Sequence, residues 1–331
     1  MIFFLPWQGN TIAGTTDAPT TITPHPLPRE EEINWILSEV QRYVSPEITI
    51  RRSDVLAAWS GIRPLVKDPD AKNTESLVRN HLINVSDSGL ITIAGGKWTT
   101  YRQMAQEAVD AATKEFRLIP GPKPAAYSFP GMIRITGECQ TEHVQLVGAH
   151  GFSKTLFIHL IQYFGIDAEV ARHLAHNYGD RAWAVASLSE PTHARFPLRG
   201  KRLAGLYPFI DGEVRYAVRS ELAQTAVDVV ARRTRLAFLN VNACLEALPK
   251  VIDIMAVELS WSKNRKEQEW KDAVNFLVSM GLSENRAGIT RKEVEGGVVS
   301  RWAEDEMVRS SGSFPPPPPP GPDQWLTITM Q

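Results

Sequence analysis

Residues 90–102 read Leu90-Ile91-Thr92-Ile93-Ala94-Gly95-Gly96-Lys97-Trp98-Thr99-Thr100-Tyr101-Arg102. Leu90 to Ala94 is nearly apolar on both faces, the pattern of a buried central strand. Gly95-Gly96 breaks it. From Lys97 the apolar positions Trp98, Tyr101, Ala105, Ala108, Ala112 and Phe116 step by threes and fours, which is helical spacing. A strand, glycine turn, helix unit is therefore expected, and it makes the surrounding block α/β. Such a unit aims the first N–H groups of a helix, its positive end and a lysine at one spot, which suits negative charge. The same Gly-Gly-Lys also reads as a tight connection with a solvated lysine, because a short glycine motif is weak without context.

Working outward, Ser86-Asp87-Ser88-Gly89 is a turn back to a strand at Leu82 to Val85, and Val55 to Trp59 reads as another strand. Phe3 to Leu5 and Thr11 to Ala13 flank Gln8-Gly9-Asn10 as a hairpin. A proline-rich crossover (Pro19, Pro24, Pro26, Pro28) leads to an amphipathic helix over Glu30 to Val44, with acids in its first turn. Ile119-Pro120-Gly121-Pro122-Lys123-Pro124 cannot continue a helix. Beyond it the signal is almost purely helical, over 142–148, 153–164, 168–177, 180–188, 214–238, 242–259 and 263–280. After Gly281 the periodicity fades, and Pro315 to Pro320 can only be extended polyproline II.

The composition fits folded domains: 331 residues, 43% hydrophobic, with 36 Lys plus Arg against 37 Asp plus Glu. Disorder as the dominant state is excluded, and the strong basic excess of a nucleic-acid binder is missing. Cys139 and Cys244 have no metal-ligand spacing and read as reduced core residues. No apolar run approaches the ~20 residues of a membrane-spanning helix. The start, Met1-Ile2-Phe3-Phe4-Leu5, carries no transit-peptide pattern and looks like the middle of a strand.

Cations cluster around the glycine turn. Arg63 precedes Pro64 in Ser60-Gly61-Ile62-Arg63-Pro64-Leu65, which biases its backbone to an extended form. Arg79 lies directly ahead of the next strand. With Lys97 these could form a convergent pocket that holds phosphate through charge-assisted forks, or they could be three separate surface charges. Gly14-Thr15-Thr16-Asp17 reads first as a turn cap. His173 and His176 lie three apart on a helix without an evident carboxylate partner and read as structural. Arg195 to Arg202 suits a solvated loop. Arg232, Arg233 and Arg235 suit pairing with acids such as Asp228 or Glu221, or a solvent-facing position.

Gly14-Thr15-Thr16-Asp17, Ser60 to Leu65, Arg79 and Gly95-Gly96-Lys97-Trp98-Thr99-Thr100-Tyr101-Arg102 occur in the order and spacing that resembles FAD-dependent glycerol-3-phosphate dehydrogenase. Tyr216 to Glu221 and Ala231 to Leu236 are similar to that family's C-terminal domain, and Trp270 to Leu282 resembles the fungal mitochondrial form. The resemblance implies an α/β plus all-α fold. Its parts are a partial FAD-dependent oxidoreductase domain with a mixed sheet over 1–118, a linker over 119–125, a helical domain over 126–282 and a disordered Pro-rich tail over 283–331.

The implied activity is oxidation of sn-glycerol 3-phosphate to dihydroxyacetone phosphate, with hydride passing to flavin and electrons to ubiquinone at the mitochondrial inner membrane, where association is peripheral. Arg63 and Lys97 are implied as catalytic, Arg63, Arg79 and Lys97 as substrate-binding, and Gly95, Gly96, Lys97, Thr99 and Thr100 as FAD-binding, with no metal. The Gly-x-Gly-x-x-Gly fingerprint expected to bind the ADP half of FAD is absent, no histidine matches the family's active-site one, and the calcium-loop pattern of some animal members is missing. A C-terminal portion, inactive alone, is therefore expected. The alternative is a non-catalytic interaction protein using the helical domain, with Pro315 to Pro320 docking SH3- or WW-type modules.

Overall fold

The computed structural model describes residues 2–24, 26–63, 66–67, 77–78, 81–118, 139, 141–299 and 302. Arg79, the 119–125 linker and the Pro315 to Pro320 run lie outside these residues. Backbone contacts divide the chain into two units, Met1–Ser60 with Phe152–Gln331, and Gly61–Gly151.

In the first unit, β1 (Phe3–Trp7) and β2 (Asn10–Gly14) form the expected hairpin, with Phe3 opposite Gly14, Leu5 opposite Ile12 and Trp7 opposite Asn10. Its tip, Gln8-Gly9, has φ of 47° and 80°, the left-handed pair that a two-residue hairpin turn requires. Helix α1 (Glu30–Gln41) follows, burying Ile33 and Val40, with Glu30, Glu31 and Glu32 at its positive end. Arg52 grips Glu30 through two hydrogen bonds of 2.9 and 2.8 Å.

Val55 to Trp59 is not a strand. It runs as a single extended strap over the helices: Leu56 O accepts from Val241 N at 3.0 Å, and Ala58 N donates to Met280 O at 2.9 Å. Trp59 meets Phe238 edge to face at 5.2 Å. The apolar run was a packing signal, and its backbone groups are satisfied by helix ends instead of a neighbouring strand. The approach is close, since a Cβ added to Gly281 (φ 95°) would lie 3.0 Å from Ala58 N.

The helices of this unit are α3 (Leu156–Phe164), α4 (Ala168–Tyr178), α5 (Ala182–Leu188), α6 (Asp211–Glu221), α7 (Leu236–Leu239), α8 (Val241–Leu259), α9 (Lys263–Ser279) and α10 (Arg291–Glu295). Helix α8 is the centre of the main core, with Leu245, Leu248, Ile252 and Met255 fully buried, and it continues across Pro249. Cys244 is a free thiol in that core; Cys139, also free, is only partly buried.

The single helix expected over 214–238 is broken. Leu222 turns left-handed (φ 57°), Asp228 accepts from the N–H groups of Gln224 and Thr225 at 3.0 and 2.9 Å, a π-helical turn spans Asp228–Arg233, and Arg235 is left-handed again (φ 60°). The interruption uses an aspartate cap and no Gly or Pro, so apolar periodicity runs through it unmarked.

Residues 284–299, expected to belong to the tail, carry helical turns at Glu284–Arg286 and Arg291–Glu295. Thr290 caps α10 through its hydroxyl and Glu293, Arg291 binds Asp253 on α8, and Val294 and Val299 are buried. Two apolar anchors in a charged stretch are too few to register as periodicity.

In the second unit, β3 (Val66–Lys67) pairs β4 (Leu77–Val78), and β5 (His81–Val85) pairs β6 (Ile91–Gly95) antiparallel, with His81 opposite Gly95. Ser86-Asp87-Ser88-Gly89 is the turn between the latter pair, closed by Gly89 N to Ser86 O at 2.8 Å. Helix α2 (Tyr101–Glu115) contacts this ladder. Strand β6 is not the buried central strand its composition suggests, and Ile93 is 41% exposed. The helix expected over 142–148 is a 3-10 turn, Thr141–His143.

Candidate functional site

The glycine turn is formed as the sequence predicts. Gly95 and Gly96 have φ of 76° and 77°, a consecutive left-handed pair that only glycine adopts without strain. Lys97 then returns to an extended backbone (φ −133°, ψ 145°) ahead of a 3-10 turn, Trp98–Thr100, that runs into α2. Thr100 closes the turn, its N–H and hydroxyl both donating to Lys97 O at 3.0 Å. Lys97, Trp98, Thr99 and Thr100 are exposed.

The turn is held from below. A Cβ on Gly96 would stand 2.7 Å from Met104 Sδ and 3.1 Å from the His81 Cβ, so α2 and β5 lie directly behind the loop. His81 is locked by Glu107, Nε2 to Oε2 2.7 Å. Hydrogen bonds from Gln103 and then His81 hold Glu107 below the usual carboxylate range. Arg102, next to the loop, is engaged with Gln106, Thr141 and Glu142. Sequence reading passed over His81, Glu107 and Met104; the pairing of His81 with Gly95 across the ladder is what brings them under the loop.

Gly95, Gly96, Lys97, Thr99 and Thr100 are thus gathered at one turn. Arg63 is exposed, in the irregular segment before β3. Arg79 lies outside the described residues. With the Thr100 N–H and hydroxyl given to Lys97 O, the donor set at the turn consists of the N–H groups of Trp98 and Thr99, the Lys97 ammonium and the Thr99 hydroxyl. It fits a ligand that carries or develops negative charge. Among the described residues no helix is long and apolar enough to cross a membrane.

A second polar cluster lies among the helices of the first unit. His173, which seemed to lack a carboxylate, bonds Glu213 Oε1 at 2.8 Å, and both side chains are buried. Tyr178 Oη donates to the same oxygen at 3.0 Å, and Ile210 N donates to Glu213 Oε2 at 2.7 Å. Burial first, then the charge of Glu213 and its hydrogen bond, hold the Tyr178 phenol well above its ordinary range, so it remains an O–H donor. Glu213 is 40 residues from His173, and nothing in a linear reading joins them. As expected, Arg232 pairs with Asp228 at 2.8 Å and Arg233 with Glu221 at 2.9 Å. Arg195 to Arg202 is not a simply solvated loop: Arg199 donates to Ser187 O and Ser189 O, Lys201 pairs with Glu190, and Arg202 with Asp167 and Glu169.

A family model described as FAD dependent oxidoreductase matches residues 1–102, and one described as C-terminal domain of alpha-glycerophosphate oxidase matches residues 139–266. The chain is 52% identical over 291 residues to the mitochondrial glycerol-3-phosphate dehydrogenase of Mus musculus, covering 88% of this chain and 38% of that protein. It is 42% identical over 299 residues to an Arabidopsis thaliana mitochondrial glycerol-3-phosphate dehydrogenase, covering 86% and 44%. The crystal structure of the Bacillus halodurans glycerol-3-phosphate dehydrogenase complexed with FAD superposes with a TM-score of 0.63 at 27% identity, covering 84% of this chain and 51% of that one. The chain therefore spans about half or less of the length of the proteins it matches.

Proposed function

We propose that this chain, which is similar to the mitochondrial glycerol-3-phosphate dehydrogenases and in part to the FAD-dependent oxidoreductases, supplies the part of such an enzyme that holds sn-glycerol 3-phosphate beside FAD. The observation that carries the reading is the double left-handed turn at Gly95-Gly96, which presents Lys97 and helical N–H groups at an exposed surface. Absent side chains on both glycines let a planar ring approach the backbone, and the helix start stabilises negative charge on it. Flavin, when bound, supplies the hydride acceptor.

Arg63, Arg79 and Lys97 take the substrate's phosphate and the carbonyl that develops at C2. Fixed positive charge is worth most where charge grows during the reaction. Oxidation of the C2 alcohol releases one hydride and one proton and leaves dihydroxyacetone phosphate. Ubiquinone is the further electron acceptor, and the location is the mitochondrion, at its inner membrane. The domain reading that goes with this is an α/β portion over 1–118 joined through 119–125 to a helical portion over 126–282.

The test is a titration of the chain with FAD, followed by flavin fluorescence. Saturable quenching that Gly96→Val abolishes, with the helical content of the variant unchanged, is expected. Quenching that is equal in the two proteins would overturn the assignment of the turn to the flavin.

A further inference from the structure

We propose that the helical part of the first unit holds a second binding site, for a small oxyanion with a carboxylate or phosphoryl head, in which Arg235 is the anchoring cation. The observation is a cavity of about 210 Å³ lined by His173, Asn177, Tyr178, Glu213, Glu221 and the three arginines Arg232, Arg233 and Arg235. That volume is several times the roughly 30 Å³ share of one water molecule, enough for a small organic anion.

The three guanidiniums at the cavity are not equivalent. Arg232 is matched by Asp228, and Arg233 is clamped on Glu221, on its carboxylate at 2.9 Å and its carbonyl at 2.8 Å. The carboxylate of Glu213 is occupied by three donors, from His173, Tyr178 and the Ile210 backbone. Arg235 differs in resting on the neutral amide oxygen of Asn177, where Arg232 and Arg233 each hold a carboxylate. Its Nε is buried and has no hydrogen-bond partner among the described residues, an arrangement that costs stability.

The amide of Asn177 is fixed in turn. Its Nδ2 donates to His173 O at 2.9 Å and lies 3.0 Å from His173 Nδ1, which keeps its oxygen toward Arg235 and leaves His173 Nε2 as the donor to Glu213. A rigid relay thus runs from Glu213 through His173 and Asn177 to the guanidinium at the cavity.

The backbone is bent to make this cluster. The π-helical turn Asp228–Arg233 and the left-handed Arg235 (φ 60°) set three arginines within four residues around one space. π-turns and left-handed non-glycine residues concentrate at functional sites. A guanidinium fork matches the two oxygens of a carboxylate or phosphoryl group, which selects this ligand class over a neutral one. The site is independent of the flavin reading, because it uses none of the residues at the glycine turn.

The experiment is calorimetric titration of the full chain with inorganic phosphate and, separately, with acetate, at low ionic strength. Saturable binding of at least one probe, about tenfold or more weaker in Arg235→Gln and retained in Lys97→Gln, is expected; which probe binds distinguishes a phosphoryl from a carboxylate ligand. Absence of saturable binding for both probes, or equal binding in Arg235→Gln, overturns the proposal. If Arg235→Gln fails to fold, arginine modification by phenylglyoxal is mapped in the unaltered chain. Protection of Arg235 by either probe supports the site, and modification at an unchanged rate with both overturns it.

Discussion

Substituting Gly212 by alanine tests how tightly α6 is set against α5. Gly212 lies in the first turn of α6, and an added Cβ would fall 2.5 Å from Val185 O and 3.1 Å from both N and Cβ of Ser189, where ordinary contact begins at 3.4 Å. The nearest atoms are backbone, so the two helices must part. Overpacking of this kind costs about 1–3 kcal/mol, and Ala returns roughly 0.5–1 kcal/mol over Gly in a helix. Parting the helices also loosens Asp211, whose carboxylate accepts from Glu190 N at 2.8 Å and Lys201 N at 2.9 Å. The net loss should therefore be about 2 kcal/mol, near the upper end of that difference. Urea unfolding followed by circular dichroism measures it, with Gly288→Ala as the reference, since nothing lies within 4 Å of a Cβ there. A Gly212→Ala chain as stable as the reference would refute the packing argument.

Three further outcomes are expected. Leu248→Ala, at a fully buried position on α8, should cost about 2–5 kcal/mol in the same unfolding assay, and a loss under 1 kcal/mol would place the core elsewhere. Burial pushes the Cys244 thiol far up, so a thiol reagent should label one cysteine, Cys139, in the native chain and two after denaturation; two at once would contradict the buried core. For Asp253, burial raises the carboxyl, but hydrogen bonds with Arg291 and Lys266 more than offset it and leave the value lowered. A lowered folded value adds stability above the ordinary aspartate range and loses it as pH falls through the folded value. Amide protection in α10 should thus drop on acidification below about pH 4 and already be reduced at neutral pH in Asp253→Asn. Identical exchange in the two chains would show that the pair does not tether α10.

The legible parts of the fold were those with local signatures. Gln8-Gly9 set the first hairpin, Gly95-Gly96 the strand-to-helix turn, and 3.6-residue periodicity placed α4, α8 and α9 within a residue or two. What failed was decided at long range. Val55 to Trp59 is apolar because it lies on helix ends near Val241 and Met280, a use that composition cannot separate from strand pairing. The break within 214–238 rests on one Asp228 carboxylate and two left-handed residues, Leu222 and Arg235, types that do not announce a turn. At the candidate site, Gly95, Gly96 and Lys97 were visible as a motif, whereas His81 and Glu107 reach it only through the β5 and β6 register. The pairing of His173 with Glu213 likewise depends on two helices meeting.

The central claim is that Lys97 at the glycine turn holds the phosphate of sn-glycerol 3-phosphate. Its most direct measurement is calorimetric titration of that compound into the Arg235→Gln chain, which sets aside the anion site among the helices. The account predicts saturable binding that glycerol does not compete for and that Lys97→Gln weakens by about tenfold or more. Binding unchanged by Lys97→Gln, or no tighter for glycerol 3-phosphate than for glycerol, would contradict it.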